Sequence, residues 1–148
     1  MSRYARVTAA VFLIALAGCE PSKPAAVPAG GKVLFGKKKE PAAGALVVFH
    51  PTDPAFEKKI GGKPVGTVGE DGTFTLTTFE QGDGAPEGEY GVTVQWQKKA
   101  KEAKFSLGGE GGGGGQSMLN PKYGNPSQPF TKVTVKKGGD NQFTLDVD

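Results

Sequence analysis

"GTVGEDGTFTLTTFEQGDGAPEGEYGVTV", residues 66–94, alternates apolar and polar residues between Gly-rich turns. Phe74 and Leu76 alternate with Thr73, Thr75 and Thr77, which gives a strand one apolar face and one hydroxyl-bearing face. Asp71-Gly72 supplies a turn that accepts positive φ, and "PVGTV" (64–68) on its other side completes a predicted hairpin. Further on, "EYGVTVQW" (89–96) places Tyr90, Val92, Val94 and Trp96 on one face. Gly88-Glu89-Tyr90, where that strand opens, has the form of a tyrosine corner, in which the phenol hydroxyl ties down the preceding loop.

The same period extends in both directions. "KVLF" (32–35) aligns Val33 and Phe35, and "ALVVFH" (45–50) is nearly continuous in apolar residues, as a central strand is. "KVTVKK" (132–137) aligns Val133 and Val135, and "QFTLDV" (142–147) aligns Phe143, Leu145 and Val147. Seven such segments, with turn signals between most of them, predict an all-β chain folded as a β-sandwich. Twenty-four glycines and 11 prolines agree with a turn-rich β protein. No segment has a clear amphipathic helical period; "QKKAKEAKF" (97–105) comes nearest and is short and polar.

The longest region without strand pattern, 97–130, holds Lys98, Lys99, Lys101 and Lys104 and then "GGEGGGGGQ" (108–116). Gln116-Ser117-Met118 follows where a phosphate-binding loop needs Gly-Lys-Ser/Thr, so a flexible Gly-rich insert over about 98–130 is expected. The lysine cluster reads as a solvated face.

The N-terminus is organised differently. Arg3 and Arg6 precede an 11-residue apolar stretch, Val7 to Ala17, and small residues then lead to Cys19, the sole cysteine. That is the layout of a secretory signal peptide, and the stretch is shorter than the ~20 residues a bilayer span needs. Leu16-Ala17-Gly18-Cys19 also resembles, at all four positions, the lipobox of bacterial lipoproteins. The resemblance implies removal of residues 1–18, a diacylglyceryl group on the Cys19 sulfur, N-acylation of the new terminus, and a membrane as partner. The following "EPSKPAAVPAGG" reads as a Pro/Ala-rich tether, 19–30, with the folded domain at 31–148. Glu20 stands where an aspartate would resemble an inner-membrane retention signal, which points toward the outer membrane. The expected location is the cell envelope, at the outer membrane, its periplasmic face or the cell surface.

Cleavage changes the charge. The whole chain carries +3, but removing Arg3 and Arg6 leaves 16 lysines against 15 acids, a net +1 with no arginine. A surface that tracks phosphates needs a cationic excess and bidentate arginines, so no nucleic-acid partner is expected. One cysteine makes no internal disulfide, so the core must hold by burial alone.

Several landmarks together resemble the carboxypeptidase regulatory-like domain, a seven-stranded Greek-key sandwich of transthyretin-like (prealbumin-like) fold. They are Gly31-Lys32-Val33, Gly44-Ala45 before "VVFHP", Asp71-Gly72-Thr73-Phe74, and Pro86, Gly88, Tyr90 and Val92 at alternating positions. The segment "LNPKYGNPSQPFTKVTVKKGGDNQFTLDV" is similar to the small lipoproteins abundant in planctomycetes. The likeness covers nearly all of the chain after Cys19 except the Gly-rich insert, and it speaks to fold more than to function.

Chemistry is sparse. His50, the sole histidine, precedes Pro51 and has Asp53 near it in sequence but no nucleophile with an evident place beside it. One histidine and one lipidated cysteine cannot supply a zinc site. Asp83, Glu87 and Glu89 could attract calcium, but their spacing is not that of an EF-hand loop, and they read as polar loop acids. The transthyretin-like fold includes hydroxyisourate hydrolase, which uses His, Arg and a C-terminal Tyr-Arg-Gly-Ser. Leu145-Asp146-Val147-Asp148 stands at the end of this sequence instead. The expectation is a non-enzymatic, lipid-anchored module without cofactor or metal, with a structural or binding role and an envelope protein or glycan as partner. The alternative is a lipoprotein that binds a carbohydrate or small molecule on exposed aromatics such as Tyr123 and Phe130.

Overall fold

The structure, a computed structural model, describes residues 22–97 and 116–148. Its elements are strands β1 (Ala26–Val27), β2 (Gly30–Phe35), β3 (Glu40–Pro41) and β4 (Leu46–Pro51), then helix α1 (Pro54–Ile60). Strands β5 (Val65–Thr67), β6 (Thr73–Thr75), β7 (Ala85–Pro86) and β8 (Gly88–Gln95) follow. A 3₁₀ turn (Pro121–Gly124) precedes β9 (Thr131–Val135) and β10 (Gln142–Val147). Among the described residues the fold is all-β apart from the short helix and the 3₁₀ turn, and each of the seven alternating segments overlaps a strand.

One sheet has the order β5-β4-β8-β9 and is antiparallel throughout. In the other, β2 pairs in parallel with β10 on one side and antiparallel with β6 and β3, at its two ends, on the other. The strands β1 and β7 form a separate antiparallel pair. Core side chains come from both sheets: Val33, Phe74, Leu145 and Val147 from one, Val47, Phe49, Tyr90, Val92, Val94 and Val135 from the other. The Phe49 ring joins them, 6.5 Å from Phe74 and 5.7 Å from Phe143. Each large apolar side chain buried this way contributes about 1.5–3 kcal/mol.

The predicted hairpin forms only in part. Gly69 N–H donates to the Thr73 carbonyl at 2.7 Å, and Val65 and Thr77 exchange backbone bonds at 3.0 and 2.8 Å. Yet β5 joins β4 while β6 joins β2, so the two arms belong to different sheets. Each arm has a longer strand to pair with elsewhere, and the apolar faces of both must meet the same core. Gly72, at φ 81°, makes the turn, with the Asp71 carboxylate accepting from the Thr73 N–H and hydroxyl.

Three expectations are corrected. Helix α1 was not anticipated, although its end signals are present. Asp53 caps it, accepting from Ala55 N–H at 2.9 Å; Pro54 starts it; Gly61, at φ 75°, ends it. Seven residues are too few for a helical period to show above the strand pattern around them. Second, the 19–30 tether does not extend to residue 30. Strand pairing starts at Ala26, and Ala29 and Gly30 are buried. The Ala29 carbonyl accepts from Leu76 N–H, and the Asn141 side chain donates to the Pro28 carbonyl. Backbone pairing needs no apolar alternation, so composition did not reveal it. Third, the 98–130 insert is too long. Residues 116–130 fold back on β8, burying Leu119 and Tyr123, with Met118 N–H donating to the Trp96 carbonyl at 2.7 Å. Residues 98–115 lie outside the described residues, as does all of the 97–105 helix candidate except Gln97.

Candidate functional site

Leu16, Ala17, Gly18 and Cys19 lie outside the described residues, as do Lys98, Lys99, Lys101, Lys104 and nearly all of the polyglycine run. The other sequence candidates are placed, and the structure does not bring them together.

His50 sits on the outward face of β4, opposite Gly91 of β8. Its Nε2 is 2.8 Å from the hydroxyl of Thr93, which is itself buried. Burial, and next the nearby Lys63 ammonium, hold the imidazole below its ordinary value of 6.5, while Glu57 pulls the other way. The ring is therefore biased toward the neutral form. Asp53 does not orient it, because that carboxylate caps α1.

Asp83 is also committed to the fold. Its two carboxylate oxygens accept from the N–H groups of Thr78, Phe79 and Glu80 at 2.8–3.0 Å. These bonds outweigh desolvation, the largest single contribution, and hold the group below the ordinary carboxylate value. Glu87 and Glu89 are exposed, and Glu89 lies 3.9 Å from Lys132. Among the described residues no three His, Cys, Asp or Glu side chains gather as metal ligands.

The aromatic platform is overturned. Tyr123 is buried rather than exposed, and Phe130 is half-buried with its ring edge-on to Tyr123 at 5.1 Å. The Tyr123 hydroxyl donates to the Asp148 carboxylate and accepts from Asp148 N–H. Lys122 completes the group, 3.1 Å from Asp148 and 4.7 Å from the Tyr123 ring centre. The tyrosine hydroxyl first, then the Lys122 ammonium, hold the Asp148 carboxyl below its usual range.

Pattern reading passed over a cleft of about 560 Å³ beside the splayed arms of β5 and β6. Val65, Thr67, Thr75, Thr77 and Gln81 contribute to its walls, and no titratable side chain lines it. Its only sequence signal is the outward threonine face of 73–77. Neutral hydroxyl and amide groups can hydrogen-bond a polar ligand but supply no acid, base or activated nucleophile.

Among the described residues no helix is long and apolar enough to cross a membrane. A comparison with protein-family models, curated proteins and solved structures gives no match for this chain.

Proposed function

We propose that the chain is a lipid-anchored, non-enzymatic β-sandwich module of the cell envelope, with a structural or binding role toward an envelope protein or glycan. The observation that carries this is Leu16-Ala17-Gly18-Cys19, at the end of an 11-residue apolar stretch with two arginines ahead of it. One acyl chain holds a protein marginally, whereas a diacylglyceryl group with an added N-acyl chain holds it stably. The absence of an enzymatic role is supported by what the polar groups already do. His50 is bonded to Thr93, Asp53 caps a helix and Asp83 binds three backbone N–H groups.

The finer fold reading is a transthyretin-like Greek key of seven principal strands. It is supported by the connectivity: β4 and β5 lie adjacent in one sheet, β6 crosses to the other, and β8 returns beside β4.

Intact-mass spectrometry of the protein from the membrane fraction tests the anchor. The expected species begins at Cys19 and carries the diacylglyceryl mass, and Cys19→Ser accumulates uncleaved or is released. An unmodified chain beginning at Met1 overturns the reading. The alternative, a lipoprotein that binds a carbohydrate or small polar molecule, has the threonine-walled cleft in its favour. Glycan-array binding lost on Thr75→Val would move the conclusion there.

A further inference from the structure

The short pair β1–β7 fixes where residues 26 and 27 sit, because Ala26 pairs with Pro86 and Val27 with Ala85. Gly84, at φ 93°, lets the two segments approach, since a Cβ there would collide with the Val27 carbonyl. The registers assign this corner to one end of the sandwich. The starts of β2, β8 and β10 lie there, with the ends of β4 and β9 and the 78–84 loop. At the other end are the finish of β2 and β8, the edge-on contact of Phe35 with Trp96 at 5.3 Å, and the Gln97–Ser117 bridge.

We propose that the end carrying Lys23 and Phe79 docks on the surface of the membrane that holds the Cys19 lipid, and that the Trp96 end points away from it. The inference rests on the lipid-anchor reading of Cys19. Ala26 is only seven positions beyond Cys19, so the covalent chain lets the two lie at most about 25 Å apart. The eight residues of β8 are themselves about 26 Å long. The anchor therefore keeps the Ala26 end within about one strand length of the lipid, which favours this corner as the one that meets the membrane.

The side chains at this corner suit a headgroup layer. Phe79 is 37% exposed in a loop whose backbone is pinned by Asp83, and the Lys23 ammonium lies 5.7 Å from its ring centre. An aromatic ring with a cation over it can place its apolar body among acyl chains and leave the charge in water. The remaining charges at this end are mixed. Lys58, Lys59, Lys63, Lys136 and Lys137 are offset by Asp53, Glu57, Glu80, Asp83, Glu87, Glu89 and Asp140. Docking thus depends on the short tether and Phe79 rather than on attraction to anionic lipid, and a zwitterionic surface suffices.

Trp96 is the sole tryptophan, which makes the geometry measurable. The full chain is recovered from membranes and reconstituted in phosphatidylcholine vesicles, with or without bromine near the top of the acyl chains. The unsubstituted protein is compared with Phe79→Trp in a Trp96→Phe background. The expected result is a roughly twofold loss of emission for the indole at position 79 in brominated lipid, and none for Trp96. Trp96→Phe alone, checked by circular dichroism, keeps a folding defect from being read as an absence of docking. Intact mass is read on the same samples. A lipidated, folded chain whose position-79 indole is not quenched, or whose Trp96 is quenched as strongly, overturns the docking alone. A chain without lipid on Cys19 overturns the anchor reading and the docking with it.

Discussion

Two tyrosines of this molecule do similar work by opposite routes. Tyr90 is fully buried, and its hydroxyl donates to the Pro86 carbonyl, four residues back, at 2.7 Å. Burial pushes its phenol well above the ordinary range. Tyr123 is nearly as buried, but its hydroxyl meets Asp148, 25 residues away, at a corner open to water. Tyr90 closes a loop with a neighbour that the sequence places within reach. Tyr123 closes a segment with a partner that only the packing of β10 beside β2 delivers. A local tie is built into the chain, whereas a long-range one depends on the rest of the fold being in place, so the Tyr123 corner should open more easily.

The largest separation is expected on truncation. Tyr90→Ala removes a fully buried ring packed between Phe49 and Phe56 and should cost about 3–5 kcal/mol in urea unfolding. Tyr123→Ala should cost clearly less and instead lower hydrogen-exchange protection at Leu119 and Tyr123 to Gly124. Equal losses in global stability would break the distinction between the two.

Removing the hydroxyl alone sharpens it. Tyr90→Phe leaves the Pro86 carbonyl buried without its donor, at a cost of about 1–3 kcal/mol read from the denaturation midpoint. Tyr123→Phe should shift the midpoint less, because water reaches the exposed Asp148 once the phenol is gone. A larger shift for Tyr123→Phe would reverse the ranking.

The smallest expected effect is in acid. The folded-state value of Asp148 lies below its ordinary 3.8, so its bonds to Tyr123 and Lys122 contribute stability above pH 3.8. That contribution is lost as the pH falls through the folded value. Exchange protection at 119–124 should therefore drop in this window, and the pH dependence should be weaker in Tyr123→Phe. A dependence that survives that substitution would show that another group sets it.

Legibility in the sequence followed the range of each interaction. The strand set was readable because alternation records which face is buried, and Tyr90 was readable because its partner is four residues away. Helix α1 was overlooked because its seven residues carry cap signals but too little period. The order in residues 26–30 comes from backbone pairing with Pro86, Thr75 and Gln142, to which composition is blind. Tyr123 and Phe130 were misread as exposed because Pro, Gly, Asn and Ser around them signal a loop, and a loop can still lie flat on a sheet. Pro129 does so, packing on Gly91, where a Cβ would come within 2.6 Å of the proline ring.

The all-β character, the inward and outward faces of the strands, and the Tyr90 corner are written in the local order of the residues. The sequence also carries the Leu16–Cys19 motif on which the anchor proposal stands. Which sheet each arm of the 64–79 hairpin joins, the pairing of Ala26 and Val27 with β7, and the covering of Tyr123 are set by packing between distant segments. The physical reason is that alternation and turn chemistry act over a few residues, whereas strand partners and the burial of a loop are fixed by contacts between segments tens of residues apart.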